Sequence, residues 1–135
     1  MLYNQFERDR DLIKAIKREI AACDKSEMIV LKDILERAIN GGAPRFYVDF
    51  ETAVDTMSRY FRNGKFRQGG RRQRQWEEIA ALVKTYREAH PDTPIAGAVA
   101  HVLMNCPASG FFLSVRQAYS IYNEHLRFVN YRNRA

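Results

Sequence analysis

Apolar residues along this chain recur every three or four positions, the spacing of one helical face, and nowhere alternate strictly as a half-buried strand would. Phe6, Ile13, Ile16 and Ile20 predict a first helix over residues 6–22. Leu31, Ile34, Leu35, Ala38 and Ile39 predict a second over 27–40, with Ser26 as its N-cap. Asn40-Gly41-Gly42 should end it, because glycine supplies a left-handed cap. Pro44 forces an extended entry at Ala43, and Phe46-Tyr47-Val48 reads as a connector with buried rings. Asp49 is placed to cap a third helix that buries Phe50, Ala53, Val54, Met57 and Phe61.

The same plan then recurs. Trp76, Ile79, Ala80, Val83 and Tyr86 mark a helix that His90-Pro91-Asp92 breaks. Thr93-Pro94 predicts an N-cap followed by a first-turn proline. Ile95, Ala98, Val99, Val102 and Leu103 form the next face, ended by Cys106-Pro107. Phe111-Phe112-Leu113 is the second connector, and Ser114-Val115-Arg116-Gln117 has the form of a capping box. The last helix should bury Val115, Ala118, Ile121, Tyr122 and Leu126.

The recurrence is visible residue by residue. APRFYVDFETAVDTMSRYFR at 43–62 aligns without a gap with ASGFFLSVRQAYSIYNEHLR at 108–127, at a constant offset of 65. Ala43/Ala108, Phe46/Phe111, Ala53/Ala118 and Arg62/Arg127 are identical, and Asn40/Asn105 extends the match. A fixed period of this kind marks one supersecondary unit used twice. The expected fold is therefore all-α, two tandem three-helix repeats of helix-turn-helix-like plan packed together. The first covers 1–62, a basic linker covers 63–75, and the second repeat with a basic tail covers 76–135. At about 55 residues each, the repeats are near the lower limit for independent folding. They are expected to pack on each other or on a partner.

Charge changes this picture. The chain of 135 residues carries a net +6, yet residues 1–61 hold 10 basic and 11 acidic groups. Residues 76–126 hold 3 basic and 5 acidic. All the excess lies in RNGKFRQGGRRQRQ at 62–75, with six cations and no acid, and in RFVNYRNRA at 127–135, with three and none. Gly64, Gly69 and Gly70 should keep the linker flexible, and its cations should extend it. With 46% hydrophobic residues a core is expected and disorder is not. No apolar run reaches the roughly 18–20 residues of a membrane span, and the charged start lacks a signal peptide's apolar stretch. Cys23 and Cys106 read as free thiols of a cytoplasmic chain.

The chemistry suggested is recognition of phosphates. Arg62, Lys65, Arg67, Arg71, Arg72 and Arg74 of the linker, with Arg127, Arg132 and Arg134 of the tail, would neutralise a nucleic-acid backbone. Phe128 and Tyr131 interleave the tail cations and could stack on bases. The two capped helices differ. The first offers Asp49, Glu51, Asp55 and Thr56, which phosphates would repel. The second offers Arg116, Gln117, Ser120 and Asn123, types that hydrogen-bond base edges. The expected departure from a helix-turn-helix is the connector, longer than the usual 3–4 residues. His90, His101 and His125 make no HExxH pattern or nucleophile pair, and no glycine loop carries a phosphate-binding signature. His101 and Cys106 lack further ligands at zinc spacing. The chain is thus read as a non-enzyme without cofactor or metal.

APRFYVDFETA and ASGFFLSVRQA resemble a phrase found in small basic proteins associated with bacterial mobile elements and prophages. The resemblance covers about 40 residues and implies a setting, bacterial or phage-encoded, rather than any residue's role. The leading expectation is a nucleic-acid-binding protein, with duplex DNA ahead of RNA. One alternative is a helical structural or adapter protein, such as a phage packaging component, acting through homo-oligomerisation or a protein partner. Another is an RNA-binding accessory factor using the arginine-rich linker.

Overall fold

The computed structural model describes residues 2–23, 30–66 and 70–134, apart from the side chains at 2, 131, 133 and 134. The described residues form six α-helices and no strand: α1 (Leu2–Ala22), α2 (Leu31–Asn40), α3 (Phe50–Asn63), α4 (Gly70–Ala89), α5 (Ile95–Asn105) and α6 (Val115–Arg134). The all-α reading holds.

The helix faces follow the sequence pattern in the middle of each element and depart from it at the ends. In α1, Leu12, Ile13, Ala15 and Ile16 are buried, whereas Phe6 is 69% exposed one turn from the helix start. In α2, Ile34, Leu35, Ala38 and Ile39 are buried as expected. Its N-cap is Val30, with no side-chain cap, so Ser26 does not start it; Ser26 itself lies outside the described residues. The helix ends at Asn40, but Gly41 has φ −89° and it is Gly42 that takes the left-handed value, 103°. Asp49 caps α3 as predicted, its Oδ2 accepting from the Thr52 N–H at 3.4 Å. Thr93 does not cap α5. Pro94 takes that place, and the Thr93 carbonyl accepts from Arg87 Nε at 3.2 Å. The capping box forms in full: the Gln117 N–H donates to Ser114 Oγ at 3.0 Å, and the Ser114 N–H to Gln117 Oε1 at 2.9 Å.

The linker expectation changes most. Gly64 is the left-handed cap of α3, with φ 76° and its N–H on the Tyr60 carbonyl at 2.6 Å. Gly70 opens α4, so residues 70–75 are helix rather than flexible linker. Gly69 is outside the described residues. The basic tail is likewise helical, since α6 continues to Arg134.

The chain folds into two compact units, and neither is one repeat. Unit 1 comprises Met1–Asn4 and Pro44–Ala108; unit 2 comprises Gln5–Ala43 and Ser109–Ala135. In unit 1, α3 packs on α5 and α4, and α4 on α5. In unit 2, α2 packs on α6. The third helix of each repeat is thus exchanged onto the helix pair of the other. The division at 1–62 and 76–135 follows the sequence period, not the packing.

The connectors explain the exchange. Nine residues separate α2 from α3 and nine separate α5 from α6, a reach of up to about 30 Å when extended. Phe46 (0% exposed) and Phe111 (3%) are buried, so each connector is pinned as core instead of folding as a turn. In unit 2 the Phe111 N–H donates to the carbonyl of Ile39 at 2.8 Å, tying the second connector to the end of α2. Gly110 allows this approach, because a Cβ there would stand 2.5 Å from that same carbonyl oxygen. In unit 1 the equivalent place is Arg45, which donates to the Phe46 carbonyl at 2.9 Å and to Asn4 Oδ1 at 2.7 Å.

Replacing Gly110 with Ala should therefore push the connector off α2. We expect a loss of about 1–3 kcal/mol, as for other overpacked sites, measured by urea denaturation.

Candidate nucleic-acid interface

The predicted site residues fall into two groups, one in each unit. In unit 1 they lie on the end of α3 and the first turns of α4. Arg62 and Lys65 are exposed on either side of the Gly64 cap. Arg71, Arg72 and Arg74 are exposed on α4, whose first turn contains no acid. Arg67 lies outside the described residues. None of Arg62, Lys65, Arg71, Arg72 or Arg74 forms an ion pair among the described residues. Elsewhere exposed charges do find mates, as with Arg59 and Asp55 at 3.3 Å or Lys32 and Glu36 at 3.9 Å.

The placement of these cations is electrostatically unfavourable for the helix that carries them. A helix N-terminus has backbone N–H groups without intrahelical partners and carries the positive end of the helix dipole. Acids belong there, at about 0.3–1 kcal/mol each, and three arginines stand in their place. Gly70, Arg71, Gln73, Arg74 and Glu77 surround a shallow concavity of about 450 Å³. Gln73 Nε2 donates to Glu77 Oε1 at 2.9 Å, which fixes the acid at its lower edge.

In unit 2 the candidates lie along α6. Arg116, Ser120, Asn123 and Arg127 follow one another at i, i+4, i+7 and i+11 and share a face. Arg116, Ser120 and Arg127 are exposed and Asn123 is half-buried. Ala118, fully buried, marks the opposite, core-facing side. Arg132 lies over the Phe128 ring, 5.9 Å from its centroid. The side chain of Arg134 is outside the described residues. Gln117 is a different case. Its Oε1 accepts from both the Ser114 N–H and Ser114 Oγ, at 2.9 and 3.2 Å. A carboxamide committed in this way cannot also make a paired hydrogen bond to a base, so Gln117 caps the helix and leaves the reading face.

The three helices of each expected helix-turn-helix repeat do not fall in one compact unit: α2 and α3 belong to different units, as do α5 and α6. The equivalent face on α3 carries Glu51 and Asp55, the latter paired to Arg59.

The sequence reading missed the groove between α3 and α4. It measures about 680 Å³ and is lined by Tyr60, Phe61, Ala80, Ala81 and Pro91, with Glu77, Lys84, Arg87 and Glu88 among its charged edges. Its signal was hidden, because α3 and α4 belong to different repeats of the sequence pattern. No histidine is among its lining residues. His90 and His101 both stack on Tyr86, at 4.3 and 4.1 Å, and fasten the end of α4 to α5. Cys23 and Cys106 are half-buried free thiols. Among the described residues no three His, Cys, Asp or Glu side chains gather as metal ligands, and no helix is long and apolar enough to cross a membrane.

His125, half-buried on α6, has its pKa lowered by burial and by the Lys17 ammonium of α1. The folded state therefore favours the neutral ring. Stability from this residue is full above the unfolded pKa of about 6.5 and falls as pH drops below it, because the unfolded chain takes up the proton first. His125→Asn should flatten the thermal midpoint between about pH 7 and 5 relative to the parent chain, followed by circular dichroism. Separately, Ser114→Ala should cost about 1 kcal/mol through loss of the cap while leaving any affinity for nucleic acid unchanged. Comparison of the chain with protein-family models, curated proteins and solved structures gave no match.

Proposed function

We propose that this protein binds nucleic acid through its phosphates, with duplex DNA as the principal target, and works as a binding protein rather than an enzyme. The observation that carries the reading is the set of cations at the junction of α3 and α4. Arg62, Lys65, Arg71, Arg72 and Arg74 have no anionic partner among the described residues, and three of them crowd a helix N-terminus. Phosphate groups would relieve that repulsion and are favoured at a helix N-terminus. The α6 stripe of Arg116, Ser120, Asn123 and Arg127 supplies a second contact surface, with Arg116 and Asn123 as its candidate base readers.

The test exploits a linkage between stability and binding. Arg71→Gln, Arg72→Gln and Arg74→Gln together remove charges that oppose the α4 dipole. The triple variant should melt at a higher temperature than the parent and bind duplex DNA more weakly. The slope of log K against log salt should shrink in magnitude by about three, roughly one for each lost phosphate contact. Fluorescence anisotropy across a salt series measures it. Undetectable binding of the parent to duplex DNA at low salt, or an unchanged slope in the variant, would overturn the proposal. Weak duplex binding beside tight binding of structured RNA would reassign the target to RNA.

A further inference from the structure

The groove of unit 1 and the cation cluster share a wall. Glu77 lines the α3–α4 groove and also the concavity under Arg71 and Arg74. Arg74, Glu77, Ala81, Lys84 and Glu88 fall at i, i+3, i+7, i+10 and i+14, one stripe of α4. An uncompensated arginine thus stands at one end of the stripe, and Lys84, exposed and about 15 Å further along, stands near the other. Between them lie Glu77 and Ala81, and the groove beside them is lined by Tyr60, Phe61 and Ala80.

The aromatic side belongs to α3. Tyr60 and Phe61 meet edge to face at 5.3 Å, and Phe66 stacks on Tyr60 at 4.2 Å with the rings parallel to within 1°. Tyr60 and Phe61 are half-buried, so they reach the groove without being absorbed into the core. Ala80 and Ala81 keep the opposing face low, which leaves room for a flat ring. Single-strand binders combine these two features, a cationic track for the backbone and aromatic faces for the bases. Charge complementarity to a backbone of phosphates is supplied by Arg71, Arg74 and Lys84. Glu77 and Glu88 also line the groove, on the same stripe as Arg74 and Lys84, and would repel a phosphate there, whereas they can pair with a base. There a carboxylate accepts from an exocyclic amine, as acids do from cytosine N4.

We propose that the α3–α4 groove seats an unstacked nucleobase of a single-stranded segment, whose flanking phosphates lie on Arg71, Arg74 and Lys84. The inference rests on the nucleic-acid reading above and adds to it a site for an unpaired base. Stacking contributes about 1–3 kcal/mol per base, so closing the groove should lower single-strand affinity roughly 5- to 150-fold by the same constant. Duplex affinity should hold, since a paired base cannot enter.

The experiment compares short fluorescent oligodeoxycytidine with a matched duplex by anisotropy at one salt concentration. Two variants of the full chain are used. Ala81→Leu fills the groove from an exposed helical position with a good helix former, and Tyr60→Leu removes the ring from the other wall. Circular dichroism and thermal melting establish that each is folded. The expected result is a selective loss of single-strand binding in both, with duplex binding and the single-strand salt slope unchanged. A folded Ala81→Leu variant that binds oligodeoxycytidine as the parent does overturns the base site alone. So does a variant that loses duplex and single strand equally. A parent chain that binds neither oligonucleotide overturns the base site and the proposed function together.

Discussion

Burial of Phe46 and Phe111 is the constraint on which the rest of the structure depends. Each ring sits in a nine-residue segment that could otherwise have served as a loop between consecutive helices. Each ring falls in the same unit as the helix that follows it, Phe46 with α3 and Phe111 with α6. The hydrogen bond from the Phe111 N–H to the Ile39 carbonyl, with Gly110 against the same oxygen, fixes the second connector in unit 2. In unit 1 the side chain of Arg45 ties the corresponding segment to Asn4.

The exchange also decides what lies beside the end of α3. Because α3 packs on α4 and α5, its aromatic end comes to lie beside the arginines that open α4. Neither repeat alone contains that combination. The cations at the start of α4 are a local choice that helix electrostatics oppose, and such conflicts between local preference and fold tend to mark sites kept for binding. Unit 2 shows the contrast. Its α6 is well capped by Ser114 and Gln117, and a single arginine, Arg116, stands in its first turn.

Much of the secondary structure was legible in the sequence because it is set locally. Asp49 and the Ser114–Gln117 box cap the helices they were expected to cap, and Ile34, Leu35, Ala38, Ile79, Val83 and Val99 bury the faces their spacing implied. The failures have two physical sources. At helix ends periodicity continues past the point where a neighbour exists to cover it, hence the exposure of Phe6 and of Leu126, at 40%. Across the repeat, periodicity carries no information about which copy a helix packs on, so the unit boundaries at 1–62 and 76–135 followed the pattern and missed the exchange. The basic linker misled for a related reason. Glycines at 64 and 70 look like flexibility in sequence, yet one caps α3 and the other starts α4. Of the candidate site, the cations were visible as composition. The groove was not, since its walls come from segments that only the tertiary fold joins.

The exchange itself can be tested without ligand. Methyl nuclear Overhauser contacts in the full chain report directly which helices touch. The account predicts cross-peaks from Ala53 and Met57 of α3 to Ala98, Val99 and Val102 of α5, and from Ala118 of α6 to Ile34, Leu35 or Ile39 of α2. Contacts of Met57 with Ile34 and Leu35, and of Ala118 with Val99 and Val102, would place each third helix on its own repeat and contradict the account.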